Sequence, residues 1–107
     1  MRIAQVFYNQ IPAGILTEED RHAYRFVYGD AYFNNAGLPA ISLTFPKSQK
    51  EFQSAYLFPF FYNMLAEGVN RALQSRQLKI DEEDSFGFLL ATAGYDTVGA
   101  ITVKPVE

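Results

Sequence analysis

The sequence predicts an α+β fold: a small antiparallel β-sheet with two α-helices packed on it. Short runs of β-branched and aromatic residues, punctuated by Gly, Pro, Asn and Asp, fill the first half of the chain. Apolar residues at helical spacing take over in the second half, before one last strand-like run. At 107 residues, 49% of them hydrophobic and 20% charged, the chain has material for one core and not two. Residues 1–107 are therefore expected to form a single domain.

The elements follow in order. Ile3 to Tyr8 mixes β-branched and aromatic side chains and stops at Asn9-Gln10-Ile11-Pro12. Gly14 opens a short run, Ile15-Leu16-Thr17, that the charged turn Glu18-Glu19-Asp20-Arg21 ends. Tyr24 to Tyr28 alternates and halts at Gly29-Asp30, and this close spacing favours antiparallel hairpins. Asn34-Asn35-Ala36-Gly37 has turn chemistry. Ala40 to Phe45, bracketed by Pro39 and Pro46, alternates cleanly and is predicted to be a strand with Ile41, Leu43 and Phe45 on one face. Pro59 suits a first helical position. From there Phe60, Phe61, Met64, Leu65, Val69, Ala72 and Leu73 predict a helix to about Ser75, with Gly68 as a weak point. Asp81 is the expected N-cap of a second helix, with Glu82, Glu83 and Asp84 in its first turn. Phe86, Leu89, Leu90 and Ala93 form its apolar stripe, Gly94 follows it, and Gly99 to Val103 is the last strand.

Composition narrows the chemistry. There is no cysteine, which removes disulfides, thiolate metal sites and thiol catalysis and fits a reducing, cytoplasmic compartment. A net charge of −3 disfavours direct nucleic-acid binding, and no apolar run is long enough for a membrane helix. The one histidine, His22, sits in a charged loop with no second histidine at ligand spacing and reads as an exposed loop residue. Asp81 to Asp84 lacks the alternating oxygens and central glycine of a calcium loop. No glycine-rich phosphate loop and no nucleophile elbow occurs; Ser85-Phe86-Gly87 lacks the carboxylate that a kinase places before Phe-Gly. The expected catalytic, metal-binding and cofactor-binding residues are therefore none. What remains is an aromatic surplus: Phe52, Tyr56, Phe58, Phe60, Phe61 and Tyr62, within an uncharged stretch from Phe52 to Ala66. One helix face cannot bury them all. They form either a thick core or, in part, a contact patch of the kind that interfaces favour.

Several ordered motifs resemble the N-terminal domain of HipA-type serine/threonine kinase toxins. Gly14-Ile15-Leu16 is similar to that family's Gly-x-Leu, and Phe26-Val27-Tyr28 with Tyr32 to its Phe-x-Tyr and following aromatic. Pro39 to Pro46 resembles its proline-bracketed PISLxLP, and Pro59 to Gly68 its PFFxNLLPEG, with Met64-Leu65-Ala66-Glu67 in place of Leu-Leu-Pro-Glu. Asp84 to Leu90 and Gly94 to Ala100 resemble DxFxLL and GxDxxGA. The loss of proline at position 66 is expected to let the helix run on.

The resemblance implies a HipS-like antitoxin of a tripartite HipBST toxin–antitoxin system, a stand-alone copy of the domain with no kinase core after it. Its implied partners are a HipT-like serine/threonine kinase, which it binds and neutralises near the active cleft, and a HipB-like DNA-binding protein. The implied kinase interface is Tyr62, Asn63, Met64, Leu65 and Glu67. A structural subunit that stabilises the kinase, or bridges it to the DNA-binding protein without inhibiting it, is the alternative.

Overall fold

The computed structural model describes residues 1–65, 68–93 and 100–106. Five antiparallel strands form one sheet: β1 (Arg2–Tyr8), β2 (Ile11–Asp20), β3 (Ala23–Tyr28), β4 (Glu51–Ser54) and β5 (Ile101–Pro105), in the spatial order β4-β3-β2-β1-β5. Between them stand α1 (Asp30–Phe33), α2 (Pro59–Tyr62), α3 (Gly68–Leu78) and α4 (Ser85–Thr92). The α+β class is as the sequence predicts, but the chain places more and shorter helices around the sheet than two.

The first hairpin closes on Asn9 and Gln10, both at positive φ (48° and 68°), between the paired Tyr8 and Ile11. Positive φ at both loop residues is the backbone twist that matches two paired strands, and after glycine asparagine is among the residues that tolerate it best. The motif glycine of β2 has a different reason. A Cβ on Gly14 would stand 2.5 Å from the Val27 carbonyl oxygen and 2.8 Å from the Phe26 ring, so only glycine lets β3 and its aromatic lie this close. β2 outruns its expected end: it continues through Glu18 and Glu19 to Asp20, and the turn falls on Arg21 and His22.

The core lies on one face of the sheet. Ala4, Val6, Leu16, Phe26 and Val103 are buried from the strands, against Phe61 from α2 and Phe86, Phe88 and Leu89 from α4. Phe26, Phe45 and Phe61 meet at its centre, with ring centroids 5.0 to 5.9 Å apart. Each such aromatic contributes about 1.5–3 kcal/mol of burial. Among the described residues no polar or charged residue is fully buried.

Three expectations are corrected. Residues 40–45 are not a strand. The buried Tyr28 hydroxyl accepts the Ile41 N–H at 3.1 Å and donates to the Phe45 carbonyl at 2.5 Å. Both ends of the segment thus converge on one oxygen, and the chain between them must loop. Phe45 N–H bonds the Ser42 carbonyl at 3.1 Å, completing a turn. Ile41 and Phe45 point inward, while Leu43, expected beside them, is 100% exposed at the apex. Second, the helix predicted from Pro59 to Ser75 is two helices. α2 is a single turn that ends at Asn63, and α3 starts at Gly68 and runs past Ser75 to Leu78. Leu73, assigned to the buried stripe, is 46% exposed. The substitution at Ala66 cannot extend a helix that has already closed before it; Ala66 itself lies outside the described residues. Third, the N-cap of α4 is Asp84, not Asp81. Asp84 Oδ1 accepts the Gly87 N–H at 3.0 Å, while Asp81 caps only a tight turn through the Glu83 N–H at 2.9 Å.

α1 and β4 carried no expectation. The last strand is Ile101–Pro105. Gly94, Gly99 and most of the GxDxxGA motif lie outside the described residues.

Candidate partner-binding surface

α2 positions the residues that the resemblance nominates. Phe58, in extended conformation, precedes Pro59 at the first helical position, and Asn63 N–H closes the turn on the Pro59 carbonyl at 2.9 Å. Consecutive residues of one turn must point to different sides. Phe61 turns into the core at 0% exposure, whereas Tyr62 is 44% exposed and Asn63 is exposed. Met64 is half-buried against the core. Leu65 is a core residue at 8% exposure, so a charge placed there would break packing as well as any contact. Glu67 lies outside the described residues. Among the described residues, the free surface of the set is therefore Tyr62, Asn63 and part of Met64.

Tyr62 belongs to a larger surface assembled by α3 and α4. The Arg71 guanidinium of α3 lies 5.8 Å from the Tyr62 ring centroid and 4.7 Å from that of Phe88. It donates to the Glu82 carbonyl at 2.7 Å and to Ser85 Oγ at 2.9 Å. One side chain thus ties α2, α3 and the start of α4 together. Tyr62 also lines a cleft of about 190 Å³, together with Arg21, Tyr24, Tyr56, Leu57, Glu83 and Ser85. Tyr56 is 77% exposed there.

Beside it runs a groove of about 560 Å³ lined by Arg2, Glu18, Arg21, His22, Tyr24 and the start of α4. Its size suits a ligand, but Arg2, Glu18, Tyr24 and Asp84 in its lining are already committed to each other. Arg2 forks onto Asp84 through two bonds of 2.7 and 3.0 Å and reaches Glu18 at 2.8 Å. Tyr24 hydroxyl donates to the other Glu18 oxygen at 3.2 Å. The Arg2 bonds, then the Gly87 N–H, hold the Asp84 carboxyl below the usual carboxylate range, against partial burial that pushes the other way. Burial and the Glu18 charge raise the Tyr24 hydroxyl. This network fastens α4 to β1 and β2. Gly87 is required by it, since a Cβ there would collide with the Asp84 carboxylate.

His22 is exposed, its backbone N–H on Asp20 Oδ1 at 2.7 Å. Among the described residues no three His, Asp or Glu side chains group to hold a metal, and no helix is long and apolar enough to cross a membrane. What the surface offers is contact chemistry: two exposed tyrosine faces, an amide and carboxylates. Tyr62 and Asn63 were nominated from the sequence. Tyr56 stands with Tyr62 among the aromatics that the sequence offers as a possible contact patch, whereas Arg21 and Glu83 carry no such signal, because they arrive from distant segments and only the folded chain brings them to Tyr62.

Comparison with known proteins places this geometry. The family model of the HipA N-terminal domain matches residues 4–104. An uncharacterized protein of Haemophilus influenzae is 36% identical over 89 residues, 83% of this chain and 79% of that protein. A Sinorhizobium fredii protein described as "Putative kinase Y4mE" is 25% identical over the whole chain, which spans only 25% of that protein's length. Among solved structures, the N-terminal domain of HipA toxin superposes with a TM-score of 0.73 at 29% identity, covering 100% of this chain and 94% of that one.

Proposed function

Because the chain belongs to the HipA N-terminal domain family, we propose that it works without chemistry of its own, as a HipS-like antitoxin that docks on a HipT-like serine/threonine kinase and neutralises it. The observation that carries the reading is the contrast between relatives. The same domain makes up a quarter of a kinase-length protein and four-fifths of a short one. A domain found in both settings is suited to act as a detachable regulatory part. The surface around Tyr62, Asn63 and the exposed part of Met64, continued by Glu67 in the sequence, is the contact region in this reading. A HipB-like DNA-binding protein completes the cytoplasmic assembly. The net charge of −3 supports leaving the DNA to that partner.

Neutralisation is by coverage. An exposed aromatic edge set beside the kinase cleft blocks substrate or holds the lobes apart, and one apolar side chain buried on docking contributes about 1.5–3 kcal/mol. Co-expression tests the reading. The HipA-type kinase from the same genome, produced with this chain alone, should be harmless to the cell. Undiminished toxicity in that pair would overturn it in favour of a purely structural subunit.

A further inference from the structure

We propose that the cleft between Tyr56 and Tyr62 receives an arginine side chain of the neutralised kinase; this rests on the docking reading above. Four observations support it. The cleft holds about 190 Å³, below the roughly 300 Å³ at which small-molecule sites begin, so it fits one side chain and not a cofactor. Its aromatic walls are exposed, Tyr56 at 77% and Tyr62 at 44%, and flat π faces attract planar cations. Its rim is acidic. Glu83 lines it and makes no ion pair among the described residues, nor do Asp81 and Glu82 beside it; Arg21 is the one cation of the lining. An incoming cation therefore meets complementary charge at the mouth and aromatic surface inside.

The fourth observation is that this fold already uses the same arrangement twice. Arg71 lies over Phe88 and Tyr62 while donating to the Glu82 carbonyl and the Ser85 hydroxyl. Arg2 lies 5.2 Å from the Phe86 ring centroid while forking onto Asp84. A guanidinium between an aromatic face and oxygen acceptors is thus the local chemistry of this end of the molecule. The tyrosine cleft with Glu83 repeats that composition facing outward. Arginine is favoured over lysine because its planar fork stacks and bonds a carboxylate at once.

The test is binding of the purified chain to the HipA-type kinase of the same genome, measured by calorimetry. Tyr56→Ala and Glu83→Lys should each weaken binding at least tenfold, with unchanged circular dichroism because both side chains are exposed. Blocking the kinase's arginines with phenylglyoxal should produce a similar loss for the native chain and little further loss for Tyr56→Ala. Acetylating its lysines should not. If the native chain binds and both variants bind equally well, the cleft is not the contact, while the docking reading stands. If lysine acetylation rather than arginine blocking removes the Tyr56-dependent affinity, the choice of arginine is overturned. If the native chain binds no such kinase, the docking reading falls and this inference with it.

Discussion

The two ends of β3 are each closed through a tyrosine hydroxyl, and they are closed by different physics. At one end Tyr28 is 1% exposed and staples the 39–46 loop by two neutral bonds, to Ile41 N–H and the Phe45 carbonyl. Tyr32 stacks on it at 5.8 Å and donates to the Pro39 carbonyl at 2.6 Å. Burial pushes the Tyr32 hydroxyl up to about 12, so neither loop nor staple senses ordinary pH. At the other end Tyr24 joins a charged network of Glu18, Arg2 and Asp84, in which the Arg2 and Asp84 side chains remain about a third open to water. The neutral end is buried. The charged end holds α4 in place and leaves both grooves open. Charged groups can organise a surface without leaving it, which is what a docking face needs, whereas neutral bonds are most useful where water is excluded.

The difference can be broken at its strongest point first. Tyr28→Phe keeps the ring and removes the staple, leaving a buried N–H and a buried carbonyl without their partner. A loss of about 1–3 kcal/mol for each such group is expected, read by urea unfolding. A loss under about 0.5 kcal/mol would mean that the loop is held by Phe45 packing alone.

Arg2→Met addresses the charged end. Near neutral pH it should cost at most about 1 kcal/mol, since the pairs are partly exposed and screened. The pH dependence carries the information. The folded Asp84 carboxyl titrates below its ordinary value of 3.8, so its stabilisation is complete above that value and lost as pH falls through the folded one. The gap between native and Arg2→Met stability should therefore shrink as pH falls from the ordinary 3.8 through the lower folded value. A gap that stays constant over this range would show that Arg2 acts through its contact with Phe86 instead.

The smallest effect is expected at the loop apex. Leu43→Ser should change stability by no more than about 0.5 kcal/mol, because the side chain is wholly exposed. A buried leucine on a strand face, as alternation suggests, would cost about 2–5 kcal/mol on truncation. The one measurement separates the two conformations.

How far each element was legible follows the range of its determinants. β1, the β1–β2 turn and β3 rest on alternation and turn residues a few positions apart, and the sequence places them to within a residue or two. Asp84 was visible as an acid near the start of a helix, but its selection over Asp81 depends on Arg2, 82 positions away. Alternation in 40–45 is real, yet it cannot reveal that a buried hydroxyl on another strand will claim both ends of the segment.

By itself, then, the amino-acid order determined an α+β class, the antiparallel pairing of the opening strands and membership in the HipA N-terminal domain family, because periodicity, turn chemistry and ordered motifs are local and survive without contacts. Only the tertiary structure decided which aromatics face water. Phe61 and Tyr62 are neighbours in one aromatic cluster, and their separation into core and surface was fixed by the sheet beneath α2 and by Arg71 arriving from α3. Burial is a property of what lies opposite a side chain, and that is written elsewhere in the chain.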